Sequence, residues 1–160
     1  MPFNLAIDDE FTYFGVNYIV HTIDPPKIAI QRIDGDRKVR TMDFVTLISD
    51  SEFVISPSIK KRVEKEIVKR EKRIISLFDK LSESKREVVL KKYEMIKPIL
   101  LLEKVKEGDL VSAIMFTDNF NSLVPNDKSI LKIPKEVLVK SISEKHQLST
   151  RTIKRYLAAY

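Results

Sequence analysis

The 160-residue sequence has no cysteine, no tryptophan and only 3 glycines. Without cysteine there is no disulfide, no thiolate zinc site and no cysteine nucleophile. Gly15, Gly35 and Gly108 stand singly, so neither GxGxxG nor GxxxxGK[ST] occurs and phosphate-cradling loops are excluded. Histidine is scarce as well: His21 and His146 lie far apart, with no HExxH and no nearby ligand cluster, so no metal site is expected. There is no G-x-S-x-G elbow. The acidic groups Asp8-Asp9-Glu10 and Asp34/Asp36 fit chain-end solvation and hairpin chemistry better than a catalytic dyad. The chain is therefore expected to be no enzyme, with no catalytic residue and no cofactor of its own. A TIM barrel, at about 250 residues, is too large for it. No apolar run approaches the roughly 20 residues that cross a bilayer. Asp8, Asp9 and Glu10 also replace the basic start and apolar run of a signal peptide, so a cytoplasmic protein without membrane association is expected.

What is plentiful is charge, at 32% of residues with a formal net of +6. It is unevenly spread. Residues 1–56 hold 5 basic and 9 acidic side chains, whereas 57–160 hold 24 and 14. The segment 57–106 alone carries a balance of +8, and 127–160 one of +5. Such a split points to a polyanionic partner for the C-terminal two-thirds.

Three regions separate by pattern, giving an α+β, mostly α class: a small N-terminal β meander or barrel, then helices ending in a helix-turn-helix. Residues 1–55 form the β-rich unit. Val16 to Ile23 is rich in β-branched and aromatic residues and ends at Asp24-Pro25-Pro26. Ile28 to Ile33 follows, and Asp34-Gly35-Asp36 predicts a hairpin returning over Arg37 to Met42. Asp43 caps a short helix, Phe44 to Ser49. Residues 56–83 read as a basic connecting helix opened by Ser56-Pro57, with an apolar stripe of Ile59, Val63, Ile67, Ile74, Phe78 and Leu81. Lys60, Lys61, Lys65, Lys69, Lys72 and Arg73 fall largely off that stripe and are candidate phosphate contacts.

Residues 84–160 read as a helical domain. Ser84-Lys85-Arg86-Glu87 fits a capping box for a helix that Pro98 should kink or split. Gly108-Asp109 marks a stop and a new cap before a short apolar helix, Leu110 to about Phe116. Asp118 to Asp127 reads as a loop. Helices are then expected over about 135–146 and 150–160, joined by Gln147-Leu148-Ser149 with Ser149 as N-cap. Ile153, Tyr156 or Leu157, and Tyr160 would be buried, with Leu148 closing the corner. Ser149, Thr150, Arg151, Thr152, Lys154 and Arg155, with Lys145 before the turn, would face DNA. In a helix-turn-helix the second helix sets its N-terminal residues against major-groove base edges. Arg151 and Lys154 are the first candidates for bases, and Arg155 for a phosphate.

The order of these parts, the helix Lys92-Tyr93-Glu94-Met95-Ile96-Lys97-Pro98-Ile99-Leu100 and the closing phrase resemble the N-terminal portion of TnsB, TniA and Mu type DDE transposases. In that family a phrase S-x-x-T-[IV]-x-R-[WY]-L-x-x-Y closes a helix-turn-helix. Ser149, Thr152, Ile153, Arg155, Tyr156, Leu157 and Tyr160 hold those places here. The resemblance makes Met95 to Leu102 the first helix of that domain and 103–133 a long insertion. It implies recognition of repeats at transposon ends, alongside other transposition proteins and further transposase protomers on bacterial, nucleoid-associated DNA. It also implies that a retroviral-integrase-like core follows Tyr160, to which any divalent metal such as Mg would belong, so that this chain is a piece of a longer transposase. The alternatives are a stand-alone helix-turn-helix transcription regulator and a protein-interaction module of a DNA-bound assembly.

Overall fold

The computed structural model describes residues 3–123 and 129–160. Strands β1 (Glu10–Tyr13), β2 (Val16–Asp24), β3 (Lys27–Arg32), β4 (Val39–Asp43) and β5 (Phe53–Ile55) form one antiparallel sheet in the order β4-β3-β2-β1-β5. Helix α1 (Phe44–Ser49) lies between β4 and β5 in the chain. Strands β1 to β4 form the expected meander, and β5 crosses back to pair with β1, leaving an open sheet with β4 and β5 at its edges. Phe11, Tyr13, Tyr18, Val20, Ile28 and Ile30 line its buried face, as the period of two along a half-buried strand demands.

The first hairpin turns at Phe14-Gly15, both left-handed at φ 49° and 72°, as a tight I′-type connection requires. The return strand expected from Arg37 begins only at Val39. Arg37 is itself left-handed, at φ 49°, and the Asp36 carboxylate accepts from Lys38 N–H, so the connection from Asp34 stays curled two residues longer. Ile33 consequently falls outside β3 and is partly exposed.

Helix α2 (Pro57–Phe78) starts at Ser56, whose hydroxyl accepts from Ile59 N–H, with Pro57 in the first turn. Only Ile59 and Val63 of its stripe are fully buried, and Leu81 lies beyond the helix end. Helix α3 (Glu83–Lys106) takes Ser82 as N-cap, so Ser84 to Glu87 sit inside its first turns and do not form the expected capping box. Arg86 instead reaches back to Asp79, at 3.2 Å. Pro98 does not split α3, which runs through it unbroken. The acceptor its missing N–H leaves free is the carbonyl of exposed Glu94, and the ring itself is buried in the core.

Gly108, at φ 91°, ends α3, and Asp109 caps α4 (Leu110–Phe120). The loop expected from Asp118 starts later, because α4 continues to Phe120 and then tightens into a 3-10 turn, Asn121–Leu123. Thr117 Oγ1 and Asn119 Nδ2 donate to the carbonyls of Ala113 and Met115, four residues back, and Phe120 packs on Phe116. The remainder of that expected loop, 124–128, lies outside the described residues. A second 3-10 turn, Ile130–Lys132, leads into α5 (Lys135–His146) and α6 (Thr150–Ala159). The supposed insertion 103–133 supplies central packing: Val105, Leu110, Val111 and Phe116 are completely buried in a cluster that also holds side chains of the sheet, α2, α3, α5 and α6.

Buried polar contacts tie α2 to this body. Asp109 accepts from Phe3 N (2.7 Å), Ser112 N and Oγ, and both Arg70 Nη atoms (2.5 and 3.0 Å). Burial pushes its carboxyl upward, but the hydrogen bonds from Arg70, Ser112 and Phe3 outweigh that and hold it below the usual carboxylate range. Arg62 forks onto Asp9 in the same manner. Past Ile67 in α2 and before Ile96 in α3 no residue is fully buried, so these helix halves stand on the rim of the core.

Candidate nucleic-acid interface

Two helices and a three-residue turn build the site. Helix α5 ends because Gln147 is left-handed, at φ 53° and ψ 39°, which turns the chain sharply. Leu148 N–H then donates to Ser143 O, and Ser143 Oγ donates to Leu148 O, so the corner is clamped from both sides. Ser149 Oγ accepts from Thr152 N–H at 3.1 Å and starts α6. Ile153 is the only fully buried residue of α6, with Tyr156 and Leu157 half-buried beside it and Leu148 half-buried at the corner. Tyr160, expected inside, is 60% exposed, because it caps the end of the helix and rests one side against Tyr93, with ring centroids 5.4 Å apart.

With Ile153 inward, Arg151, Arg155 and Ala158 fall on the opposite, outer line of α6 at the i, i+4, i+7 spacing of one helix face. Both arginines are exposed and have no carboxylate within 4.0 Å among the described residues. Thr150 is exposed beside them. The hydroxyls of Ser149 and Thr152 lie 2.9 Å apart and serve the cap. Lys154 is turned toward α5, its Nζ 3.0 Å from Glu136 Oε2. Lys145 is exposed in the last turn of α5. Thr150, Arg151, Lys154 and Arg155 are thus all exposed in the first two turns of α6, with the two arginines on one line and Lys154 toward α5.

Aromatic contacts join α6 to α2 and α3. Tyr93 meets Phe78 at 6.3 Å and Tyr160 at 5.4 Å, and Lys92 Nζ sits 5.1 Å over the Tyr156 ring. Burial, with the negative groups Tyr160, Glu94 and Glu71 adding, pushes the Tyr93 phenol up to about 12.

The candidate phosphate contacts on α2 divide into two groups. Lys65, Lys69, Lys72 and Arg73 border one shallow depression with Val68 and Ser76, and Lys61 continues their row one turn earlier. Lys60 lies apart, lining a groove between β5, α2 and α4 with Glu64. Lys69 has Glu66 at 3.9 Å, while Lys61, Lys65, Lys72 and Arg73 have no such partner among the described residues. Two cations of this segment are structural, Arg62 on Asp9 and Arg70 on Asp109. Sequence reasoning missed Glu136, since a partner 18 positions away obeys no local spacing rule.

Among the described residues no group of three His, Asp or Glu is placed to hold a metal ion. No helix among them is long and apolar enough to cross a membrane. Comparison of the chain with protein-family models and with curated proteins gives no match in either case.

Proposed function

We propose that the protein is a sequence-specific double-stranded DNA-binding module that recognises transposon-end repeats as the N-terminal segment of a transposase. The observation that carries this is the exposed N-terminal half of α6: two arginines on its outer line with no carboxylate partner among the described residues, and Thr150 in the first turn, on a capped helix anchored by Ile153. Arginine pairs bidentately with guanine O6 and N7, threonine bonds a base edge or a phosphate, and the helix N-terminus favours an anion. The α2 row Lys61, Lys65, Lys69, Lys72 supports the backbone grip that fixes register. On this reading the chain positions DNA in the bacterial cytoplasm, beside other transposition proteins and further protomers, and does no chemistry itself. A divalent metal belongs to a catalytic core elsewhere in the transposase.

The test is selection of bound duplexes from a random pool of about 30 base pairs near 150 mM salt, where non-specific binding is weak, roughly 10⁻⁴–10⁻⁶ M. A recovered consensus is expected, and Arg151→Ala should lose about 1–3 kcal/mol of preference at one position. Lys65→Ala should weaken all sequences alike. Absence of enrichment, with binding that vanishes as salt rises, refutes the proposal. A second reading, a protein-interaction module, is favoured by Val68, Ile75, Leu77, Leu81 and Val88, apolar side chains left exposed along α2 and the start of α3. It predicts a stable protein complex and no consensus.

A further inference from the structure

Glu136 is a carboxylate where a DNA-facing surface would be expected to carry none. It sits in the first turn of α5, and its Oε2 lies 3.0 Å from Lys154 Nζ on the recognition surface of α6. The two side chains are 70% and 54% exposed, and ion pairs that exposed add little to folding stability. At 3.0 Å from Lys154 Nζ, the carboxylate also opposes any phosphate that approaches that lysine, so it works against generic DNA affinity. A first-turn carboxylate suits the α5 helix dipole whatever faces it, so neither that nor electrostatic grip accounts for its placement against Lys154.

Base-pair geometry does. In the major groove a G·C pair shows the guanine O6 acceptor beside the cytosine N4 donor. These two atoms are hydrogen-bonded to each other and so stand about 2.9 Å apart. A lysine ammonium only donates and a carboxylate only accepts. At 3.0 Å separation, Nζ of Lys154 and Oε2 of Glu136 form the complementary couple: the ammonium donates to O6 and N7 while the carboxylate accepts from N4. A phosphate, which offers acceptors only, satisfies the lysine and repels the glutamate. A T·A pair offers O4 and N6 in the same order but sets the thymine methyl beside O4 and no N7 next to it, so the ammonium loses its second acceptor.

We infer that Glu136 and Lys154 act as one unit that reads a single G·C base pair and rejects the phosphate backbone. This rests on the DNA-reading function proposed above. Both residues are specificity-determining, and neither was required to be so by its position in the packing.

The experiment is the same random-duplex selection carried out in parallel on the full chain, on Glu136→Gln and on Lys154→Met, with thermal melting of each protein. The unsubstituted protein should recover a consensus with a G·C position at which other pairs bind about tenfold to a hundredfold more weakly. In Glu136→Gln that preference should collapse or move to A·T, since glutamine matches adenine N6 and N7, while the rest of the consensus stays. Lys154→Met should flatten the same position. Melting temperatures should be unchanged, which separates lost reading from lost folding. A consensus that survives Glu136→Gln at every position, or that weakens at all positions equally, overturns the inference and leaves the DNA-reading function standing. No consensus from the unsubstituted protein overturns both.

Discussion

Cutting the Arg70–Asp109 pair should cost this protein a large share of its stability, although neither residue belongs to the hydrophobic core. Asp109 is 1% exposed and satisfies five donor contacts, from Phe3 N, Ser112 N, Ser112 Oγ and the two Arg70 Nη atoms. Asp109→Ala deletes the N-cap of α4, worth about 1 kcal/mol. It also orphans the buried amide of Ser112, at about 1–3 kcal/mol, and the half-buried one of Phe3, which water satisfies in part. With the half-buried Phe3 amide adding a fraction, the terms come to about 3–5 kcal/mol, the range for removing one member of a buried pair. Arg70 itself keeps Glu66 at 3.1 Å and some solvent, so its own stranded charge adds little in that variant. Arg70→Met should cost less, about 2–3 kcal/mol, because the carboxylate retains the Phe3 and Ser112 donors.

Urea unfolding followed by far-ultraviolet circular dichroism is the suitable assay, since the chain has no tryptophan to report. Against a typical total of about 5–15 kcal/mol, Asp109→Ala should lower the transition midpoint with little change in slope. For a chain of this length each kcal/mol corresponds to about 2–4 °C, so its melting temperature should drop by about 6–20 °C. The double variant should lose at least about 1 kcal/mol less than the two singles added together, since both remove the same contact. If Asp109→Ala loses under about 1 kcal/mol, or if the two substitutions simply add, the claim that this pair fastens α2 and the N-terminal arm to α4 is wrong.

The same carboxylate makes stability acid-sensitive. Its folded-state affinity for a proton is depressed by Arg70, Ser112 and Phe3, so its contribution is present above the unfolded value and is lost as pH falls through the folded one. Melting temperature recorded from about pH 6 to about pH 3 should fall more steeply for the unsubstituted protein than for Asp109→Asn. At the alkaline end, the Tyr93 phenol, raised to about 12, should be the last or among the last of the tyrosines to ionise in a spectrophotometric titration. Its contribution is complete below the unfolded value near pH 10 and fades as pH climbs through the folded one, and Tyr93→Phe should remove that late step. Ile153→Ala should destabilise by about 2–5 kcal/mol, and amide exchange should show protection lost first in α6, which has no other fully buried anchor.

What was legible in the sequence was what short-range chemistry decides. Ser56-Pro57, Asp43 and Ser149 each open a helix where a side-chain oxygen can take an orphan N–H, and in each case that hydrogen bond is present. The Gln147-Leu148-Ser149 corner has the same origin, and with it the exposure of Thr150, Arg151 and Arg155. The late start of β4 and the displaced cap of α3 are local in origin, but two misreadings come from tertiary contact overriding a local signal. Pro98 and the polar run Thr117-Asp118-Asn119 both spell helix disruption in isolation. Burial of Pro98, and of Phe116 beside them, holds the helices through. Strands β1 and β5 were not singled out because each is at most four residues long and acquires meaning only by pairing, Phe11 with Ile55 and Tyr18.

The charges illustrate the same division more sharply. Counting places Lys65, Arg62 and Arg70 in one basic segment of equal members, yet the fold assigns them opposite work. Arg62 and Arg70 spend their guanidinium groups on Asp9 and Asp109, which sit 53 and 39 positions away. Their charge is neutralised where it stands, so the cationic field of α2 comes chiefly from Lys60, Lys61, Lys65, Lys72 and Arg73, with Lys69 partly offset by Glu66. Glu136 and Lys154 repeat the pattern between α5 and α6 with one difference: the carboxylate too remains open to solvent. A buried pair is committed to the fold because separating it strands a charge, whereas an exposed pair can exchange its partner for a ligand at little expense. Burial of the carboxylate partner, which no count of residues contains, therefore separates the arginines that hold α2 in place from a lysine and a glutamate that are free to change partners.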